Sequence, residues 1–245
     1  MWSLFSNRLR NAPRLRYSDI LWTVLPALLW LGLEQARPYV IKTHCATNPA
    51  SCTAHSITLR IDRFALGQDS GKADEYSYLT QNISGGLAVL IPLGWHLGQV
   101  AIAGISPATA LAELGTDIVL VLQTTFWNGT LTEGSHLISQ RPRPFVYSDL
   151  AQFGPDPQNY TSFYSGHTSF AAAACGILFL ILLGRRASRS VLWPTAMVGA
   201  VLIVLTGTFR VLAGRHFPTD VLAATLGGLG VALAVSWSHH TKTRM

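Results

Sequence analysis

The feature that most narrows this chain is the gathering of its apolar residues into six long runs, near 20–36, 82–105, 107–128, 167–184, 190–209 and 218–237. Each approaches the ~20 residues that a helix needs to cross the hydrocarbon core of a bilayer. A water-soluble fold would have to bury six helices that are apolar on every side within 245 residues. Composition points the same way: 49% of residues are hydrophobic and 12% charged, against roughly 25% charged in an average soluble domain. The sequence predicts an all-α polytopic membrane protein with six transmembrane helices.

Charge placement predicts the orientation. The net charge is +6, which would also suit a nucleic-acid partner, but the basic residues have a simpler use. Arg8, Arg10, Arg14 and Arg16 precede the first run, Arg185, Arg186 and Arg189 separate the fourth from the fifth, and Lys242 and Arg244 close the chain. Placing these in the cytoplasm puts both termini inside. The Lys and Arg residues left outside are diluted by Asp62, Asp69, Asp74, Glu75, Glu133, Asp149 and Asp156. The first run has a basic start, as a signal peptide does, but Leu33-Glu34-Gln35-Ala36-Arg37-Pro38 is a poor small-residue cleavage site. The expectation is an uncleaved anchor and no nucleic-acid partner.

Three parts follow from this topology: residues 1–81 with the N-terminal cytoplasmic segment, the first helix and an external loop; a core of five helices over 82–237; and a cytoplasmic tail over 238–245. Within the first external loop, Lys72 to Asn82 reads as a short helix at the interface. Ser106-Pro107 reads as a tight inner turn. Residues 129–166, rich in Pro, Gly, Ser and Asp, read as loop. Cys45 and Cys52 fall in the first external loop, placed to pair there or to stand as two free thiols. Glu113, Asp117 and His96 are expected to serve packing inside the bundle, as are Gly227, Gly228 and Gly230.

Three polar stretches sit at run edges that this topology brings to one face. His216-Phe-Pro-Thr-Asp220 straddles the start of the sixth run. A carboxylate there is expected to fix the imidazole tautomer and leave the other ring nitrogen to attack phosphorus. Ser165-Gly166-His167 opens the fourth run, with Ser165 as N-cap, free amides as an anion site and His167 as a proton donor. Arg143 and Arg210 supply permanently charged guanidinium groups that suit phosphate oxygens. In Arg141-Pro142-Arg143-Pro144 the alternating prolines stiffen the loop that carries two of these charges.

These residues resemble the type 2 phosphatidic acid phosphatase superfamily, which also includes vanadium haloperoxidases and bacterial acid phosphatases. The family's three motifs are Lys-x6-Arg-Pro, Pro-Ser-Gly-His and Ser-Arg-x5-His-x3-Asp. Here they stand as His136, six residues and Arg143-Pro144; Tyr164-Ser165-Gly166-His167; and Phe209-Arg210, five residues, His216, three residues and Asp220. The resemblance covers about residues 82–237 and implies a ping-pong hydrolysis. His216 would form a phosphohistidine with Asp220 orienting it, and His167 would protonate the leaving oxygen and then activate water. Arg143, Arg210 and the Ser165-Gly166 amides would hold the phosphate, with no metal and no cofactor. The lysine of the first motif is replaced by His136, and either His136 or Arg141 is left to take its role. The implied substrate is a lipid phosphate at headgroup level: a polyprenyl diphosphate, phosphatidylglycerol phosphate, phosphatidic acid or lipid A. The implied setting is a bacterial inner membrane with the site facing the periplasm. Phosphoryl transfer to a second lipid, or binding without catalysis, are the alternatives.

Overall fold

The computed structural model describes residues 17–241, with six helices of 19 residues or more among them. These are α1 (Tyr17–Val40), α2 (Gly71–Ala103), α3 (Pro107–Ser139), α4 (Gly166–Gly184), α5 (Arg189–Leu212) and α6 (Pro218–Thr241). The orienting residues Arg8, Arg10, Arg14, Arg16, Lys242 and Arg244 lie outside the described residues. Local chemistry sets the helix ends. Ser70 caps α2 by accepting from the Ala73 amide, and Gly104 ends that helix at φ 67°. Ser106 caps α3 through the Thr109 amide with Pro107 in the first turn, as the sequence predicts.

Among the described residues, four helices are long and apolar enough to cross a membrane: Gly71–Ala103, Gly166–Gly184, Arg189–Leu212 and Pro218–His239. Their outer faces expose Leu90, Leu97, Val201, Val204, Leu222 and Leu226, a surface suited to lipid rather than water. In α3 the polar residues Asp117, Gln123, Asn128, Glu133 and His136 are buried, so they line the bundle interior and lower the mean hydropathy without meeting lipid. α4 forms the centre and touches α2, α3, α5 and α6, while α1 packs on α3. Gly228 allows the closest crossing, because a Cβ there would lie 2.2 Å from the Ser169 carbonyl oxygen. Gly230 faces open space and has no packing role.

Two helices run further than the sequence predicts. The expected interface helix from Lys72 and the second apolar run are one continuous helix, α2. Its polar positions are satisfied internally: Ser77 Oγ donates to the Asp74 carbonyl (2.6 Å) and Ser84 Oγ to the Thr80 carbonyl (2.9 Å). Likewise α3 does not give way to loop at 129 but continues to Ser139. At ~1.5 Å per residue a helix of 33 residues is about 50 Å long, beyond the ~30 Å hydrocarbon core. The start of α2 meets the end of α5 through Asp74 and Arg210 and the start of α4 through Tyr78 and His167, and the end of α3 meets the approach to α4 through His136 and Tyr164.

The segment between α1 and α2 packs over the same end. Cys45 and Cys52 form a disulfide, and both are buried with Ile41, Val146 and Tyr160. Ile57 and Ala65 pack against Val211 and Phe217 at the α5–α6 junction. At the opposite end, Arg185 binds Asp117 (2.8 Å) and Glu113 (2.9 Å), and His96 Nε2 lies 2.7 Å from Asp117. Asp117, Glu113 and His96 thus find partners within the bundle, as expected of packing groups.

Candidate active site

The nucleophile candidate sits where α5 turns into α6. Gly214, at φ 66°, makes this turn against the Gln68 carbonyl, where a Cβ would come within 2.1 Å. The turn leaves His216 only 2% exposed. His216 Nδ1 lies 2.7 Å from the Ser162 carbonyl oxygen. A carbonyl only accepts, so Nδ1 carries the proton and Nε2 keeps its lone pair. Burial first, then the nearby Arg210 and Arg143, push the imidazole well below its ordinary pKa despite the Ser162 bond. The ring is therefore neutral at physiological pH.

Asp220 does not orient that ring directly. Its carboxylate, fully buried, accepts from Arg141 Nη1 (2.5 Å), Ser162 Oγ (2.6 Å) and the Phe217 amide (2.9 Å). Ser162 thus joins the two residues: its hydroxyl donates to Asp220 while its carbonyl holds His216. The expected Asp220–His216 contact is replaced by this relay because the Phe217 amide and Arg141 claim the carboxylate first. Ser162 has no signal in the motif spacing.

Arg141 is likewise engaged elsewhere than on a phosphate. Its guanidinium donates to Asp62 (2.7 Å), Asp220 (2.5 Å) and Thr219 Oγ1 (3.0 Å) and lies 4.0 Å over the Phe217 ring. Burial works against its charge, but the carboxylates of Asp220 and Asp62 outweigh this and hold its pKa above the ordinary value. Asp62 is 1% exposed and also accepts from the Thr219 amide (3.0 Å), capping α6 from a distant loop. His136, the residue at the lysine position, donates from Nε2 to the Tyr164 carbonyl (3.1 Å) and places Nδ1 3.5 Å from Glu133. Glu133 also pairs with Arg37, whose Nε is 2.6 Å away. Neither candidate for the lysine's role stands as an uncommitted cation.

Arg143 and Arg210 do converge on the histidine pair. Arg143 donates to Thr161 Oγ1 (2.9 Å), and its backbone amide is held by the Asn159 carbonyl (2.8 Å). Burial, reinforced by Arg210, Arg215 and Arg37, lowers its pKa to about 9. Arg210 donates to Asp74 (2.5 Å), a residue on the projecting first turn of α2. His167 meets the Tyr78 ring edge-on at 4.4 Å, and Arg210, Arg143 and Arg215 are the charges around it. Among the described residues, His167 Nε2, Arg143 Nε and Arg210 Nε are buried without a hydrogen-bond partner. Such groups are costly unless something accepts from them, and an anion between them would.

Ser165 precedes α4, but its hydroxyl lies 3.0 Å from Thr168 Oγ1 and makes no cap to the helix. The first amides of α4, beginning at Gly166, keep their donors for a ligand. A Cβ on Gly166 would stand 3.3 Å from the Thr132 side chain, so glycine keeps this approach open. His44, Cys45 and Cys52 lie close enough together for a metal, but both sulfurs are spent in the disulfide.

A neutral imidazole, a second imidazole, two guanidinium groups and a helix N-terminus are an arrangement chemically suited to in-line attack on phosphorus. Residues 117–244 match the sequence profile of the PAP2 superfamily. The chain belongs to this superfamily. It is also 34% identical over 101 residues to undecaprenyl-diphosphatase BcrC of Bacillus subtilis (strain 168). That alignment takes in 41% of this chain and 45% of the relative, so the chain matches less than half of the relative's length. No solved structure matches significantly. Asp62, Asp74 and Ser162 complete the site from outside the three motifs, and the profile match begins beyond Asp62 and Asp74.

Proposed function

We propose that this PAP2 protein hydrolyses a lipid diphosphate of the polyprenyl type, without metal, through a phosphohistidine on His216 at the periplasmic face of a bacterial inner membrane. The observation that carries the chemistry is the Ser162 carbonyl on His216 Nδ1, which presents Nε2 as a neutral nucleophile beside Arg143, Arg210 and His167. In the first step Nε2 forms the N–P bond, the P–O bond to the lipid-borne group breaks, and His167, holding its extra proton once the anionic phosphate offsets Arg143, Arg210 and Arg215 around it, gives that oxygen its proton. In the second step His167 takes a proton from water, the water oxygen attacks phosphorus, and the N–P bond breaks to release inorganic phosphate. Arg143, Arg210 and the α4 amides hold the equatorial oxygens as charge builds.

The name of the relative supports the choice of a diphosphate. All six long helices are read as spans that alternate in direction, and the Arg185–Asp117 end is read as cytoplasmic. Exposed apolar flanks of α2, α5 and α6 support a substrate that arrives through the lipid.

The test is phosphate release by the detergent-purified chain from polyprenyl diphosphate, phosphatidylglycerol phosphate, phosphatidic acid and lipid A, beside His216→Ala. Release by the wild type alone, fastest from the diphosphate, is expected. Release by both proteins would remove His216 as nucleophile. Binding without release by either would make the chain a lipid-phosphate binder.

A further inference from the structure

The first motif has His136 where the family has lysine, and the structure sets a further, more exposed cation beside Arg210. Arg215 immediately precedes His216, so its side chain leaves the same tight turn as the nucleophile. Its side chain is 39% exposed, against 4% for that of Arg210. The two guanidinium groups share one carboxylate: Asp74 Oδ1 takes Arg210 Nη1 at 2.5 Å and Oδ2 takes Arg215 Nη2 at 3.1 Å. A single small anion therefore already bridges the inner and the outer arginine.

Charge pairing separates Arg215 from the other cations nearby. Arg141 is committed to Asp62 and Asp220, and Arg37 to Glu133. Among the described residues, Arg210 and Arg215 pair with the carboxylate of Asp74, whose charge also reaches Arg143. Arg143 and Arg210 lie deep, where the phosphate under attack must sit to reach buried His216. In a diphosphate the second phosphate carries the lipid, so it must point from the buried nucleophile toward the mouth. Arg215 is the more exposed of the two arginines on Asp74, and its guanidinium carbon lies 5.4 Å from the Phe145 ring centre. A guanidinium offers a planar fork that two phosphate oxygens can share.

Resting on the diphosphate reading above, the geometry points to Arg215 as the ligand of the lipid-bearing phosphate, exchanging Asp74 for phosphate oxygens when substrate binds. Arg215 thereby sets the preference of the site for lipid diphosphates over lipid monophosphates.

The test compares wild type, Arg215→Gln and Arg215→Lys on a polyprenyl diphosphate and on the monophosphate of the same chain length. The expected result is at least a tenfold fall in the diphosphate-to-monophosphate ratio of kcat/KM in Arg215→Gln, carried mainly by KM, with partial recovery in Arg215→Lys. A ratio constant within twofold overturns the proposal, whether both activities fall together or neither does. If the wild type cleaves only monophosphates, the functional reading has failed, and inhibition by inorganic pyrophosphate and inorganic phosphate then decides Arg215. Arg215→Gln should raise the inhibition constant of pyrophosphate at least tenfold more than that of phosphate, and equal changes overturn the assignment.

Discussion

Removing the Ser162 hydroxyl tests how Asp220 acts on the nucleophile. In Ser162→Ala the carbonyl that holds His216 remains, but its tie to Asp220, 2.6 Å in length, is gone. A hydrogen bond to a charged partner contributes about 1.5–3 kcal/mol. Felt in the transition state, that is roughly a ten- to hundredfold loss of kcat. Asp220→Asn also weakens the pairing with Arg141, and breaking a buried pair costs about 3–5 kcal/mol, so it should be the worse single change and should lower the melting temperature. The relay makes the two changes non-additive. Ser162→Ala/Asp220→Asn should be within about threefold of Asp220→Asn alone. The assay is lipid-phosphate turnover in detergent, with circular dichroism melting to show that each variant folds. Full activity in Ser162→Ala, or losses that multiply in the double variant, would refute the relay.

Gly228→Ala places a Cβ 2.2 Å from the Ser169 carbonyl oxygen and should cost about 1–3 kcal/mol; an unchanged melting temperature would contradict the close α4–α6 crossing. Arg143, with a pKa of about 9, loses its charge as pH rises through that value, so kcat/KM should fall above about pH 9. Because its folded pKa lies below its unfolded value, Arg143 costs stability below about pH 9, and that cost shrinks as pH rises from there toward the unfolded value. A profile flat to pH 10.5 would remove it as the titrating phosphate ligand. Asp62→Asn should lower both melting temperature and kcat, since Asp62 holds Arg141 and the Thr219 amide at once; a fall in stability with normal kcat would confine it to a structural role.

The cores of the six long helices were legible because apolar runs announce themselves, but their lengths were not. Asp74, Ser77 and Thr80 in α2 read as a separate interface helix, and Thr132, Glu133 and His136 in α3 read as loop. In the fold they are helical because hydroxyls bond back to their own helix and charges find partners across the bundle. The spacing of Arg210, His216 and Asp220 was legible, as was the gathering of Arg143 and His167 at the same end. The bonding pattern was not. Asp220 lies four residues after His216, yet the carbonyl that holds the ring comes from Ser162, 54 residues away, and the carboxylate that shares Arg141 comes from Asp62, 79 residues away. Such partners are set by how loops pack over the bundle, and no local pattern encodes that.

The most direct test of the central claim is to mix the enzyme with polyprenyl diphosphate labelled with radioactive phosphorus in its terminal phosphate, quench within milliseconds and map the label. The account predicts an acid-labile, alkali-stable phosphohistidine on the peptide that carries His216, absent from His216→Ala. Label on His167, or phosphate release with no labelled protein at any quench time, would contradict it.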